Sequence, residues 1–80
     1  MGTAARKRRD WRAEVKGLLK AELKRRGLSY ADLADRLATI GIDENERNIS
    51  NKISRGTFSA TFFVQCMAAM GVKTIHIDEL

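Results

Sequence analysis

The chain has 80 residues, 44% hydrophobic and 31% charged, with no proline, one cysteine and one histidine. That length holds one core rather than two, and no apolar run approaches the roughly 20 residues that span a bilayer. A single cysteine makes neither an internal disulfide nor a thiolate zinc cluster, and one histidine without a ligand set argues against an enzyme, a metal or a cofactor.

The net charge of +5 is unevenly spread, because residues 1–26 hold ten Lys/Arg against three Asp/Glu. A basic amino-terminal third on a nearly neutral body is the footprint of a chain that meets phosphates. Residues 1–9, MGTAARKRR, lack periodicity and end in Arg6, Lys7, Arg8 and Arg9. They read as a flexible basic arm ahead of one domain, 10–80. No hydrophobic stretch follows the arm, so no secretory leader is expected and the cytoplasm is the expected compartment.

The first helix is predicted from Asp10, a good N-cap, to Arg26. Trp11, Val15, Leu18, Leu19 and Leu23 make its apolar stripe, with Trp11 docking the helix on the body. Beside the stripe, Arg12, Lys16, Lys20 and Lys24 stand four apart and form a cationic ridge. Gly27 fits a left-handed stop, after which Leu28 folds back.

The second helix opens on Ser29-Tyr30-Ala31-Asp32, which has the form of a capping box. Leu33, Leu37 and Ile40 are expected to face the core, Gly41 to stop the helix, and Ile42 to plug the space before the next one. A third helix, 44–55, is predicted from a box at Asp43-Glu44-Asn45-Glu46 to a stop at Gly56. Its apolar anchors are Ile49 and Ile53, four apart; everything else on it is polar. The fourth helix begins at Ser59, with Phe58 and Phe63 spaced for a hydrophobic staple. Phe62, Phe63, Cys66, Met67 and Met70 form its buried face, where Cys66 reads as a small hydrophobe. Gly71 ends it. Lys73–Ile77 then alternates apolar and polar residues, as a short strand does, and such a strand needs a partner. His76 alternates with Ile75 and Ile77, which points it to solvent or to that partner.

A helix with a small-residue face, a turn at Gly41 and a short polar helix have the logic of a helix-turn-helix. Opposite Ile49 and Ile53 stand Arg47, Asn48, Asn51, Ser54 and Arg55. Arginine bonds guanine O6 and N7 in a bidentate pair, and asparagine bonds adenine N6 and N7. Glu44 and Glu46 suit the start of a helix dipole but repel phosphate.

From Leu28 to Leu80 the chain resembles the lambda-repressor-like, Cro/CI-type DNA-binding domains, and among them small bacterial domains of that kind. The residues that carry the likeness are Gly27-Leu28-Ser29-Tyr30-Ala31-Asp32-Leu33-Ala34, Ile49-Ser50-Asn51-Lys52-Ile53-Ser54-Arg55-Gly56, and Met67-Ala68-Ala69-Met70-Gly71-Val72. Helix 2 and its connection to helix 3 run longer here than in that family. The resemblance implies an all-α, four-helix domain with a basic arm and a short extended tail, acting as a transcription regulator. It further implies base-edge contacts from Arg47, Asn48 and Asn51, and phosphate or flanking contacts from Ser29, Tyr30, Lys52 and Arg55. Arg6, Lys7, Arg8 and Arg9 would follow the backbone or the minor groove. The expected partners are double-stranded DNA and a second copy of the chain, in contact through the tail or the fourth helix. Two alternatives stay open: a protein-interaction module on the same fold, and a sequence-independent nucleic-acid binder using the arm and the Lys16-Lys20-Lys24 ridge.

Overall fold

The computed structural model describes residues 10–77, and their elements are helices α1 (Trp11–Arg25), α2 (Tyr30–Thr39), α3 (Glu46–Arg55) and α4 (Ala60–Met70). The basic arm with Arg6, Lys7, Arg8 and Arg9 lies outside the described residues, as do residues 78–80. Each helix starts where a side-chain oxygen takes an orphan backbone amide. Asp10 accepts from Ala13 N–H at 3.2 Å, Ser29 from Asp32 at 3.0 Å, Asn45 from Asn48 at 2.8 Å and Ser59 from Phe62 at 3.0 Å. The α2 box is reciprocal, because Ser29 N–H also donates to Asp32 Oδ2 at 2.9 Å. At the staple the Phe58 and Phe63 rings stack, with centroids 6.2 Å apart. After α1, α2 and α4 the chain folds back through paired amide bonds: Leu28 N–H to Leu23 O, Ile42 to Leu37 and Val72 to Met67. These are the bonds of a Schellman stop.

α1 and α2 each pack on both α3 and α4. Between them lie Leu19, Leu23, Leu33, Leu37, Ile49, Ile53, Phe62, Cys66, Met67 and Met70, all buried. Full burial of one such side chain stabilises by roughly 1.5–3 kcal/mol, so this cluster supplies most of the drive to fold. Polar ties then fix how the helices meet. Lys16 Nζ donates to Ser54 O and Arg26 Nε to Met70 O, each at 3.1 Å. Both cations thus sit on helix C-termini, where the dipole favours positive charge. Gly56 is buried against α1, and a Cβ there would stand 2.9 Å from Arg12 O.

Four expectations need correction. Helix α3 begins at Glu46 with Asn45 as its cap, two residues later than the box at Asp43 implies. Asn45 wins because its oxygen reaches Asn48 N–H while Glu44 turns away to Lys52. No strand forms among the described residues, since Lys73–Ile77 has no edge to pair with there. Ile40 does not face the core: it is 48% exposed, because the left-handed turn at Gly41 reverses the chain and inserts Ile42 instead. Trp11 is 55% exposed and forms one wall of an apolar groove with Val15, Leu18, Phe58, Phe63 and Ile77. Cys66 is buried as read, and burial pushes its thiol up to about 12, with Glu44 adding to the effect. Among the described residues no helix is long and apolar enough to cross a membrane.

Candidate nucleic-acid interface

Ile49 and Ile53 are wholly buried, and that fixes the rotation of α3 about its axis. Arg47, Asn48, Asn51, Ser54 and Arg55 are therefore exposed together on the outer face. The first turn of α3 carries Glu46 and its last turn Lys52 and Arg55, an order that suits the helix dipole.

A shallow cleft opens between the start of α2 and the first two turns of α3. Tyr30, Asn45, Glu46, Arg47, Ser50 and Asn51 line it. Three of the residues expected to meet DNA thus converge: Tyr30, Arg47 and Asn51. Asn48 and Arg55 share the exposed face but stand outside the cleft. Glu46 is the acidic member of the cleft wall; it disfavours phosphate there and suits a donor such as the cytosine amino group.

Ser29 serves the fold first. Its hydroxyl is committed to Asp32 N–H and its own N–H to the Asp32 carboxylate. Those two bonds hold the Asp32 carboxyl below its ordinary pKa, so the mouth of α2 keeps a negative charge. Lys52 is also committed. Its ammonium lies 2.5 Å from Glu44 Oε2 and 4.8 Å from the centre of the Phe62 ring. Lys52 keeps 41% of its side chain exposed, with the ammonium shared between Glu44 and the Phe62 ring.

The ridge on α1 divides in the same way. Lys16 is held by Ser54 O, whereas Lys20 is exposed and borders a second hollow with Leu23, Leu28, Ser29 and Tyr30. Tyr30 belongs to both hollows, so Lys20, Tyr30, Arg47 and Asn51 follow one another across the surface. Lys20 was legible as a ridge member from its spacing, but its place beside Tyr30 depends on how α1 crosses α2.

The family model described as Domain of unknown function (DUF6471) matches residues 11–75. Neither a curated protein nor a solved structure matches the chain. The match takes in α1 to α4 and the segment after them up to Ile75, and the chain accordingly belongs to the DUF6471 family.

Proposed function

We propose that this chain binds double-stranded DNA sequence-specifically, as a helix-turn-helix regulator of transcription in the cytoplasm, acting by binding rather than by catalysis. In this reading α2 and α3 form the motif and α3 enters the major groove. Arg47, Asn48 and Asn51 read base edges, Tyr30 and Arg55 meet the flanking backbone, and the arm from Arg6 to Arg9 adds sequence-blind attraction. The observation that carries the reading is the convergence of Tyr30, Arg47 and Asn51 on one exposed cleft, continued by the cation Lys20. Homodimerisation is part of the proposal. Val64, Ile75 and Ile77 expose 61%, 37% and 60% of their surface, which suits a contact between copies through α4 and the residues after it.

Selection of the purified protein against a random duplex pool at about 150 mM salt tests this, because non-specific binding is weak there. A palindromic enriched site supports a dimeric reader, and an asymmetric one a monomeric reader. Asn51→Ala should then lose about 1–3 kcal/mol of discrimination at one base position. An unchanged preference would remove Asn51 from the readers.

The apolar groove beside Trp11 favours a second reading, a protein-interaction module. That reading gains if the folded protein enriches no duplex and its affinity for any DNA vanishes with modest salt.

A further inference from the structure

We infer that Glu44, Lys52 and Phe62 form a clamp that sets how α3 is presented, so that Lys52 is a positioning residue and not a phosphate contact. The inference rests on the DNA-binding reading above. The connection from α2 to α3 is six residues long, 40–45, and a connection of that length fixes the second helix poorly unless it is tied down. Its first half is tied by Ile42, which bonds back to Leu37 O and packs on the core. Its last residue, Asn45, caps α3. Between them Glu44 carries the remaining tie. Its side chain is only 12% exposed, and its Oε2 receives the Lys52 ammonium at 2.5 Å.

Lys52 stands two turns along α3 from that connection, and its ammonium also lies over the buried Phe62 ring of α4. One cation thereby joins the connection, α3 and α4. A carboxylate as enclosed as Glu44 needs its partner, since an uncompensated charge at such a site is costly. Lys52 therefore cannot turn out to a phosphate without leaving the largely enclosed Glu44 carboxylate unpaired. Glu44, which by charge alone repels DNA, helps binding in this arrangement by fixing the reader. The two roles predict opposite signs for the same substitution.

The test uses the full chain, Lys52→Met and Glu44→Gln, with circular dichroism as the check of folding. Affinity is measured for the duplex enriched from the random pool and for a scrambled duplex of the same composition, between about 50 and 300 mM salt. The clamp predicts that each variant loses about tenfold in preference for the enriched duplex, an effect the size of one mismatched base pair. It also predicts a salt slope equal to that of the parent. A slope reduced by about one unit in Lys52→Met, with equal weakening on both duplexes, would make Lys52 a phosphate contact and overturn the proposal. Tighter binding of both duplexes by Glu44→Gln, or an intact preference in both variants, overturns it too. Lys52→Arg should restore the preference, because it keeps the charge and the ring contact. Should Lys52→Met fail to fold, Glu44→Gln decides alone. A parent that prefers no duplex brings down the DNA-binding reading together with the clamp, whereas a selective parent with selective variants brings down the clamp only.

Discussion

Helix α3 opens on Asn45 and closes on left-handed Gly56; helix α4 opens on Ser59 and closes on left-handed Gly71. In both, a neutral side chain accepts the amide three residues on, and both run for about three turns. Yet α4 buries Phe62, Cys66, Met67 and Met70, while α3 buries only Ile49 and Ile53. The ends of a helix are decided by local hydrogen bonding. What holds it in place is decided by its surface. The buried stripe of α4 carries most of that helix, with one tie added at its end, from Arg26 Nε to Met70 O. For α3 two isoleucines are supplemented by three ties: Lys16 of α1 on Ser54 O, its own Lys52 on Glu44 of the connection, and the close approach of Gly56 to Arg12. That division leaves the outer face of α3, with Arg47, Asn48, Asn51, Ser54 and Arg55, exposed.

The sharpest way to probe the contrast is to empty each anchor. Phe62→Ala should cost about 3–5 kcal/mol and Ile53→Ala about 2–5 kcal/mol in urea denaturation. A cost below about 1 kcal/mol at Ile53 would mean that the polar ties, not the isoleucines, secure α3.

The two glycine stops form a matched pair for the next test. Gly71 has φ +79° with nothing within 4 Å of an added Cβ, so Gly71→Ala should cost only the left-handed strain, about 1–2 kcal/mol. Gly56 has φ +68°, and there the added Cβ also meets the Arg12 backbone. Gly56→Ala should therefore cost roughly 1–3 kcal/mol more than Gly71→Ala. Equal midpoints for the two variants would show that α1 does not press on the end of α3.

The caps divide by charge. Ser59→Ala and Asn45→Ala should each cost about 1 kcal/mol, independent of pH. Asp32 at the α2 box behaves differently, because its folded pKa lies below its ordinary value. Its contribution is present above the unfolded pKa of about 4 and is lost as pH falls through the lowered folded value. Asp32→Asn should then be less stable than the parent at pH 7, and the gap should close in acid. A gap that stays constant down to pH 2 would remove the carboxylate from the box.

The smallest effect belongs to Gly17, an exposed glycine inside α1 with open space around it. Gly17→Ala should stabilise the monomer by about 0.5–1 kcal/mol. If thermal melts show a loss instead, another body approaches α1 at that point, and a second copy of the chain is the first to test by sedimentation.

Much of this was legible in the chain itself. Ser29 with Asp32, Ser59 with Phe58 and Phe63, and the stops at Gly27, Gly41, Gly56 and Gly71 act over five residues or fewer, where bonding options are few. Leu33, Leu37, Ile49 and Ile53 announced their core faces by spacing alone. Errors arose where local options were nearly equal. Asp43 and Asn45 are both good caps, and Asn45 prevailed while Glu44 turned to Lys52. Ile40 and Ile42 are both apolar, and the reversal at Gly41 sent the second one inward.

Sequence by itself thus determined the number of helices, their stops, the core stripe and the polar face of α3, because each depends on neighbours along the chain. The tertiary structure alone decided which cations stay available. Lys16, Lys20 and Lys52 are chemically alike, but one caps α3, one lies beside Tyr30 and one is held by Glu44 and Phe62. That sorting depends on which group from a distant element arrives within a few ångströms of each ammonium, and residue spacing along a single helix carries no such information.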